Sequence, residues 1–155
     1  MAAPGTFILY AKNIPALRMA DLLSATVKFA LVKSTYAPNA AEDGHSLWSE
    51  VSDEEIAAGN GYTAGGAALA SKAVEAITNG AKFASANVSW AASGGAIPAW
   101  RYAVMRVDGT LWGMTSPLIG YFVGDSAPAD IPQTASGNEL ALKCPAAGWF
   151  DKVRA

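Results

Sequence analysis

The chain has 155 residues, enough to bury one substantial core and typical of a single domain. Hydrophobic residues make up 52% and charged residues only 15%, against about a quarter in an average protein; disorder is therefore excluded, and some neutral surface is left over for a partner. A net charge of -2, with Lys and Arg scattered evenly, gives no basic stripe for a phosphate backbone, so no nucleic-acid partner is expected.

Residues 1–25 read as an N-terminal arm. Pro4-Gly5 and Pro15 interrupt it, and only 17–24 has the pattern of a turn or two of helix. Its apolar run Phe7, Ile8, Leu9 and Tyr10 follows no basic segment and is too short for a secretion signal or a membrane span. Synthesis in the cytoplasm and no membrane partner are expected, and the lone Cys144 agrees with a reducing compartment. The run has no evident strand to join within its own chain, so it is expected to dock on a neighbour. Removing residues 1–10 should then weaken oligomerisation or binding while the rest still folds.

Residues 26–155 read as one β-sandwich domain. Between 26 and 32 the chain alternates, with Val27, Phe29 and Leu31 on one face and Lys28 on the other, the period of a half-buried strand. A long polar connection over 34–61 follows. In it, Ser52 with Glu55 three residues later fits a capping box and predicts a short helix ending near Gly59, while Trp48 and Val51 are expected to pin the loop to the core.

Asn60-Gly61, Asn79-Gly80 and Asp108-Gly109 are strong hairpin signals, because a type I′ turn needs two consecutive residues at positive φ. Residues 71–77 are expected to turn at Asn79-Gly80 into one strand over 82–90, with Ala84, Ala86, Val88 and Trp90 on a common face. A strand over 100–107 is expected to turn at Asp108-Gly109 into 111–114. Alternating runs over 118–123, opened by Pro117, and 139–143 complete six or so strands, the spacing of an all-β antiparallel sandwich of jelly-roll or Ig-like type.

Reactive groups are few. His45 lies beside Glu42 and Asp43 but has no second His or Cys spaced to complete a zinc site, so no metal is expected. Cys144 has no activating His and reads as a half-buried structural thiol. The glycine-rich segment 59–66 lacks both the strand-to-helix context of a dinucleotide loop and the Gly-Lys-Ser/Thr of a P-loop; a turn with close backbone approach is the simpler reading, and no cofactor is expected. The acidic residues Glu50, Asp53, Glu54 and Glu55 lack an EF-hand pattern and fit a solvated helix start. Asn87-Val88-Ser89 matches a glycosylation sequon but reads as strand. Trp90 and Trp100 fall on strand patterns and are assigned to the core, whereas Trp48 and Trp112, in or beside loops, are candidates for an interface.

Four blocks taken in order, Gly59-Asn60-Gly61-Tyr62-Thr63-Ala64-Gly65-Gly66, Val88-Ser89-Trp90, Trp100-Arg101-Tyr102-Ala103-Val104 and Ser116-Pro117-Leu118-Ile119-Gly120-Tyr121, resemble a family of small tailed-bacteriophage virion proteins. The resemblance spans residues 26–123 and is similar in architecture to the β-rich proteins that decorate phage heads. It implies a structural role with no catalytic residue: a homo-oligomer, expected as a trimer, held on the outer capsid surface by the major capsid protein. Phe7, Ile8, Leu9, Tyr10, Trp48 and Trp112 are the expected partner-contact residues. Two other roles fit a sandwich equally well: a tail or fibre component with host-binding loops, and a lectin or carbohydrate-active enzyme whose sugar binding would need Trp48 or Trp112.

Overall fold

A computed structural model describes residues 4–127 and 129–154; Met1 to Ala3 of the expected arm and Ala155 lie outside the described residues. The fold is all-β and sandwich-like, with antiparallel sheets joined by loops and isolated 3₁₀ turns. No helix among the described residues is long and apolar enough to cross a membrane.

The central sheet is built from β1 (Ile8–Leu9), β2 (Val27–Val32), β3 (Ala67–Ala68), β7 (Tyr102–Val107) and β10 (Leu118–Val123), in the order β1-β10-β7-β2-β3. Two smaller sheets pack on one face of it. One has the order β12-β5-β4, from β4 (Ala73–Ile77), β5 (Gly80–Ala84) and β12 (Phe150–Val153). The other pairs β6 (Val88–Ala91) with β11 (Glu139–Leu142), and a separate small hairpin joins β8 (Thr110–Leu111) to β9 (Met114–Thr115).

Between the layers lies the main core, where Val27, Phe29 and Leu31 of β2 meet Ala103 and Met105 of β7, Phe83 of β5 and Trp90 of β6. Trp90 and Trp100 are buried, as their strand patterns require. Lys28 faces away from the core as expected. The rest of that face is nonetheless covered, because the loop over 33–56 folds across it: Val32, Val104, Leu118 and Tyr121 form a second cluster with Tyr36 and Val51, and Trp48 packs at its side. Val51 does pin the loop, being fully buried.

The arm is corrected by the structure. Ile8 pairs with Tyr121 and Leu9 with Gly120, the Gly5 amide donates to the Val123 carbonyl at 2.7 Å, and Tyr10 is 0% exposed. Leu17, Met19 and Leu22 enter the main core. Residues 4–25 thus pack as part of the same body as the strands that follow.

Three local expectations also change. The predicted helix is two 3₁₀ turns, Trp48–Glu50 and Ser52–Glu54; the chain is already extended at Glu55, which forms a bridge with Val32. The strand expected over 82–90 breaks at 85–87 and contributes β5 and β6 to different sheets. Asp108-Gly109 closes no hairpin: β7 pairs with β2 and β10, and β8 pairs with β9 around Trp112-Gly113.

Candidate functional site

An apolar groove of about 670 Å³ lies between the central sheet and the C-terminal third of the chain. Its floor is aromatic. Phe7 stacks on Phe150 with ring centroids 5.6 Å apart, and Trp149 stacks on Phe122 at 6.2 Å and meets the edge of Phe29 at 4.7 Å. Trp100 and Ile131 close one end, Leu140 and Leu142 of β11 form a wall, and Lys143 and Asp151 are the charged lining residues among those described. The volume falls in the range of about 300–1,000 Å³ usual for ligand clefts.

Local sequence explains this shape. Gly120 lies where a Cβ would come within 2.2 Å of Phe7, so its lack of a side chain lets β1 and its aromatic ring lie close against β10. Phe7 and Leu9 point inward because a strand alternates its side chains; Ile8, between them, is 42% exposed on the opposite face. Trp149 is anchored by its indole N–H, which donates to Ser85 Oγ at 2.9 Å.

The expected contact residues therefore divide. Phe7 and Leu9 line the groove, Ile8 is exposed on the other side of β1, and Tyr10 is sealed in its own core and corrected as a contact. Trp48 is half-buried with the Arg106 guanidinium 4.8 Å above its ring, so one aromatic face is already occupied. Trp112 is half-buried and donates its indole N–H to Asp21 at 2.9 Å. Neither lines the groove.

The buried indole N–H groups of Trp90 and Trp100 have no hydrogen-bond partner among the described residues, whereas other polar groups are held by structural partners. Tyr10 Oη and Tyr36 Oη are 2.8 Å apart, and Tyr36 Oη is 3.0 Å from Nδ1 of His45, whose ring stacks on Tyr36. Burial pushes the Tyr36 hydroxyl up to about 12, and raises that of Tyr10 further. Glu55 accepts from Tyr62 Oη at 2.7 Å and from the Gly65 amide at 2.7 Å, while Tyr62 Oη accepts the Leu31 amide at 2.9 Å. Burial of Glu50 is outweighed by the amides of Ser46 and Leu47 donating to its carboxylate, which holds it below the ordinary range. Among the described residues no group of three or more His, Cys, Asp or Glu is placed to hold a metal ion.

The glycine-rich segment is a turn, as read. The Gly59 and Tyr62 backbones bond to each other across Asn60-Gly61, and a Cβ on Gly61 would lie 2.0 Å from the Ala91 carbonyl. Cys144 is half-buried, and its amide donates to Asn87 Oδ1, which ties the side chain of the sequon into the fold.

The sequence reading missed β1, β12 and with them the groove. Its one available signal was Gly148-Trp149-Phe150, an aromatic pair after a turn glycine, followed by the alternating Asp151, Lys152 and Val153. Asn13 was missed too: buried, it donates to the carbonyls of Ser46 at 2.7 Å and Leu118 at 2.8 Å and sews the covering loop to β10. No family model, curated protein or solved structure matches the chain.

Proposed function

We propose that this protein acts by binding rather than by catalysis, as a bacteriophage head decoration (cement) protein that sits as an oligomer, expected to be a trimer, on the outer surface of the capsid. The observation that carries this reading is the groove: a chain with only 15% charged residues leaves about 670 Å³ of aromatic-lined cleft uncovered. Apolar surface left open at that scale is what a binding partner covers. The order of the blocks that resemble tailed-phage virion proteins gives the reading its particular partner, the major capsid protein.

The mechanism is linkage. A protein that binds the assembled shell and not its free subunits stabilises the shell by RT ln(1 + [L]/Kd) per site, about 2.7 kcal/mol at a hundredfold excess over Kd. An oligomer touching several capsid subunits at once gains further through effective concentration, so each contact can be modest. A weakly charged face suits this, because it loses little hydration on docking.

The test adds purified protein to phage heads that lack it, with occupancy read by cryo-electron microscopy and strength by the temperature at which the heads release DNA. Saturable density on the head exterior and a raised release temperature are expected. Density confined to the tail would assign the tail-component reading instead. Saturable glycan binding that is lost on replacing Trp112 would assign a lectin.

A further inference from the structure

β11 is the outer strand of its sheet and pairs on one side only, with β6. The Ala92 amide donates to the Asn138 carbonyl at 2.9 Å, and the register continues with Leu140 opposite Trp90 and Leu142 opposite Val88. In an antiparallel ladder the bonded residues alternate, so 138, 140 and 142 turn their backbone groups toward β6 while 139, 141 and 143 turn theirs outward. The side chains alternate too: Leu142 is buried in the main core and Leu140 packs against it, whereas Glu139, Ala141 and Lys143 are exposed. Glu139 and Lys143 belong to no ion pair among the described residues.

We infer that this edge pairs with the same edge of a second copy of the chain, β11 against β11 in antiparallel sense, about a two-fold axis at Ala141. The segment Glu139-Leu140-Ala141-Leu142-Lys143 is its own electrostatic complement when reversed. With the axis at Ala141, Glu139 lies opposite the partner's Lys143 and Lys143 opposite the partner's Glu139, while Leu140 lies opposite the partner's Leu142 on the apolar side. The residues whose backbones face outward then meet one another, 139 with 143 and 141 with 141, and the ladder closes about six hydrogen bonds. Those bonds satisfy the outward amides and carbonyls that the pairing with β6 leaves open.

Charge selects this register from those the backbone allows. An axis at Glu139 sets two glutamates against each other, and one at Lys143 sets two lysines, both repulsive. An axis at Leu140 or Leu142 leaves each charge opposite an uncharged residue. Only the axis at Ala141 pairs both signs twice. The contact is isologous and closes at two copies, so it covers the edge of β11 rather than propagating it. A trimer that carries this contact pairs into a hexamer, so the number of copies is even with or without a three-fold contact elsewhere. The inference does not rest on the virion reading, since it is tested on the purified protein alone.

The experiment is analytical ultracentrifugation of the intact protein at concentrations up to about 1 mM, where an even number of copies that separates on dilution is expected. Glu139→Lys and Lys143→Glu each set like charges opposite one another at both ends of the ladder, and each variant alone should associate at least tenfold more weakly. Mixed in equal amounts, the two variants should recover association, because one copy then supplies both positive charges and the other both negative ones. A chain carrying both changes should pair with itself as the unaltered protein does. Both side chains are exposed, so each variant should keep the melting temperature of the monomeric fold, read by circular dichroism at a concentration below dissociation. A protein that stays a monomer or a trimer at the highest concentration would overturn the inference and leave the edge to another chain. So would association that the single reversals leave unchanged, or a mixture of the two variants that fails to recover it.

Discussion

The Tyr10 hydroxyl has one protein partner, the Tyr36 hydroxyl at 2.8 Å, and Tyr36 leans on His45 at 3.0 Å, so three aromatic side chains form a single hydrogen-bonded chain through the layer beneath the covering loop. Tyr62 plays the corresponding part on the other side of β2, bonded to the Leu31 amide and to Glu55. All three hydroxyls are raised, chiefly by burial, and Tyr36 is pushed up to about 12. Their pH effect has one sign. Above about pH 10 the unfolded chain loses tyrosine protons that the native state keeps, so stability is full below that point and falls as pH rises toward the native values. Each such tyrosine contributes a slope of about 1.4 kcal/mol per pH unit. Urea unfolding midpoints measured between neutral and strongly alkaline pH should therefore decline steeply above about pH 10, with tyrosinate absorbance rising together with loss of the fold. Full ionisation of all five tyrosines in a still-folded protein would contradict the burial described above.

At the scale of elements, dipeptide signals told where the chain can turn and not always what the turn joins. Asn60-Gly61 forms the expected two-residue turn, with φ of 56° and 100°. Asn79-Gly80 is displaced by one: Ile77 pairs with Gly80, so Thr78 and Asn79 make the loop and Gly80 is already strand. Gly80 answers to another neighbour, because a Cβ there would lie 2.0 Å from the Lys152 carbonyl and 2.8 Å from the Val153 Cα of β12. That requirement comes from a strand some seventy residues away in the chain, beyond the reach of any local pattern. The break over 85–87 has the same origin. Ser85 receives the Trp149 indole, the Ala86 amide donates to the Ala70 carbonyl, and Asn87 receives the Cys144 amide, so each residue is held by a different distant segment. Gly80→Ala should push β12 off β5 and cost about 1–3 kcal/mol, the usual range for overpacking a close contact. Hydrogen exchange should show the Lys152 and Arg154 amides, which face β5, losing protection before those of β2; equal protection in both strands would mean that the close approach is slack.

At the scale of the molecule, the alternating patterns were enough for the all-β class and for the existence of the strands β2, β7 and β10, but they picked out the inward face only in β2; β7 is buried on both faces, and β10, whose register shifts between Leu118 and Gly120, sends Ile119 and Phe122 into the main core. The patterns were silent on the chain ends, because β1 is two residues long and no alternation can be read from two residues. Its place is fixed by long-range contacts alone: the pairing with β10, the Phe7–Phe150 stack and the complete burial of Tyr10. The consequence reverses the expectation for an arm. Removing residues 1–10 deletes a fully buried tyrosine, a change of the kind that costs about 3–5 kcal/mol when a large aromatic is lost from a core. It also uncovers the edge of β10 and leaves Tyr36 with only His45. Against a total stability of about 5–15 kcal/mol for a domain, the truncated chain should melt far below the full-length protein or lose cooperative unfolding, as read by circular dichroism and urea titration. A truncated protein that melts at the full-length temperature would instead mean that β1 rests on the sheet without supporting it, and would return Phe7 and Ile8 to the role of a docking arm.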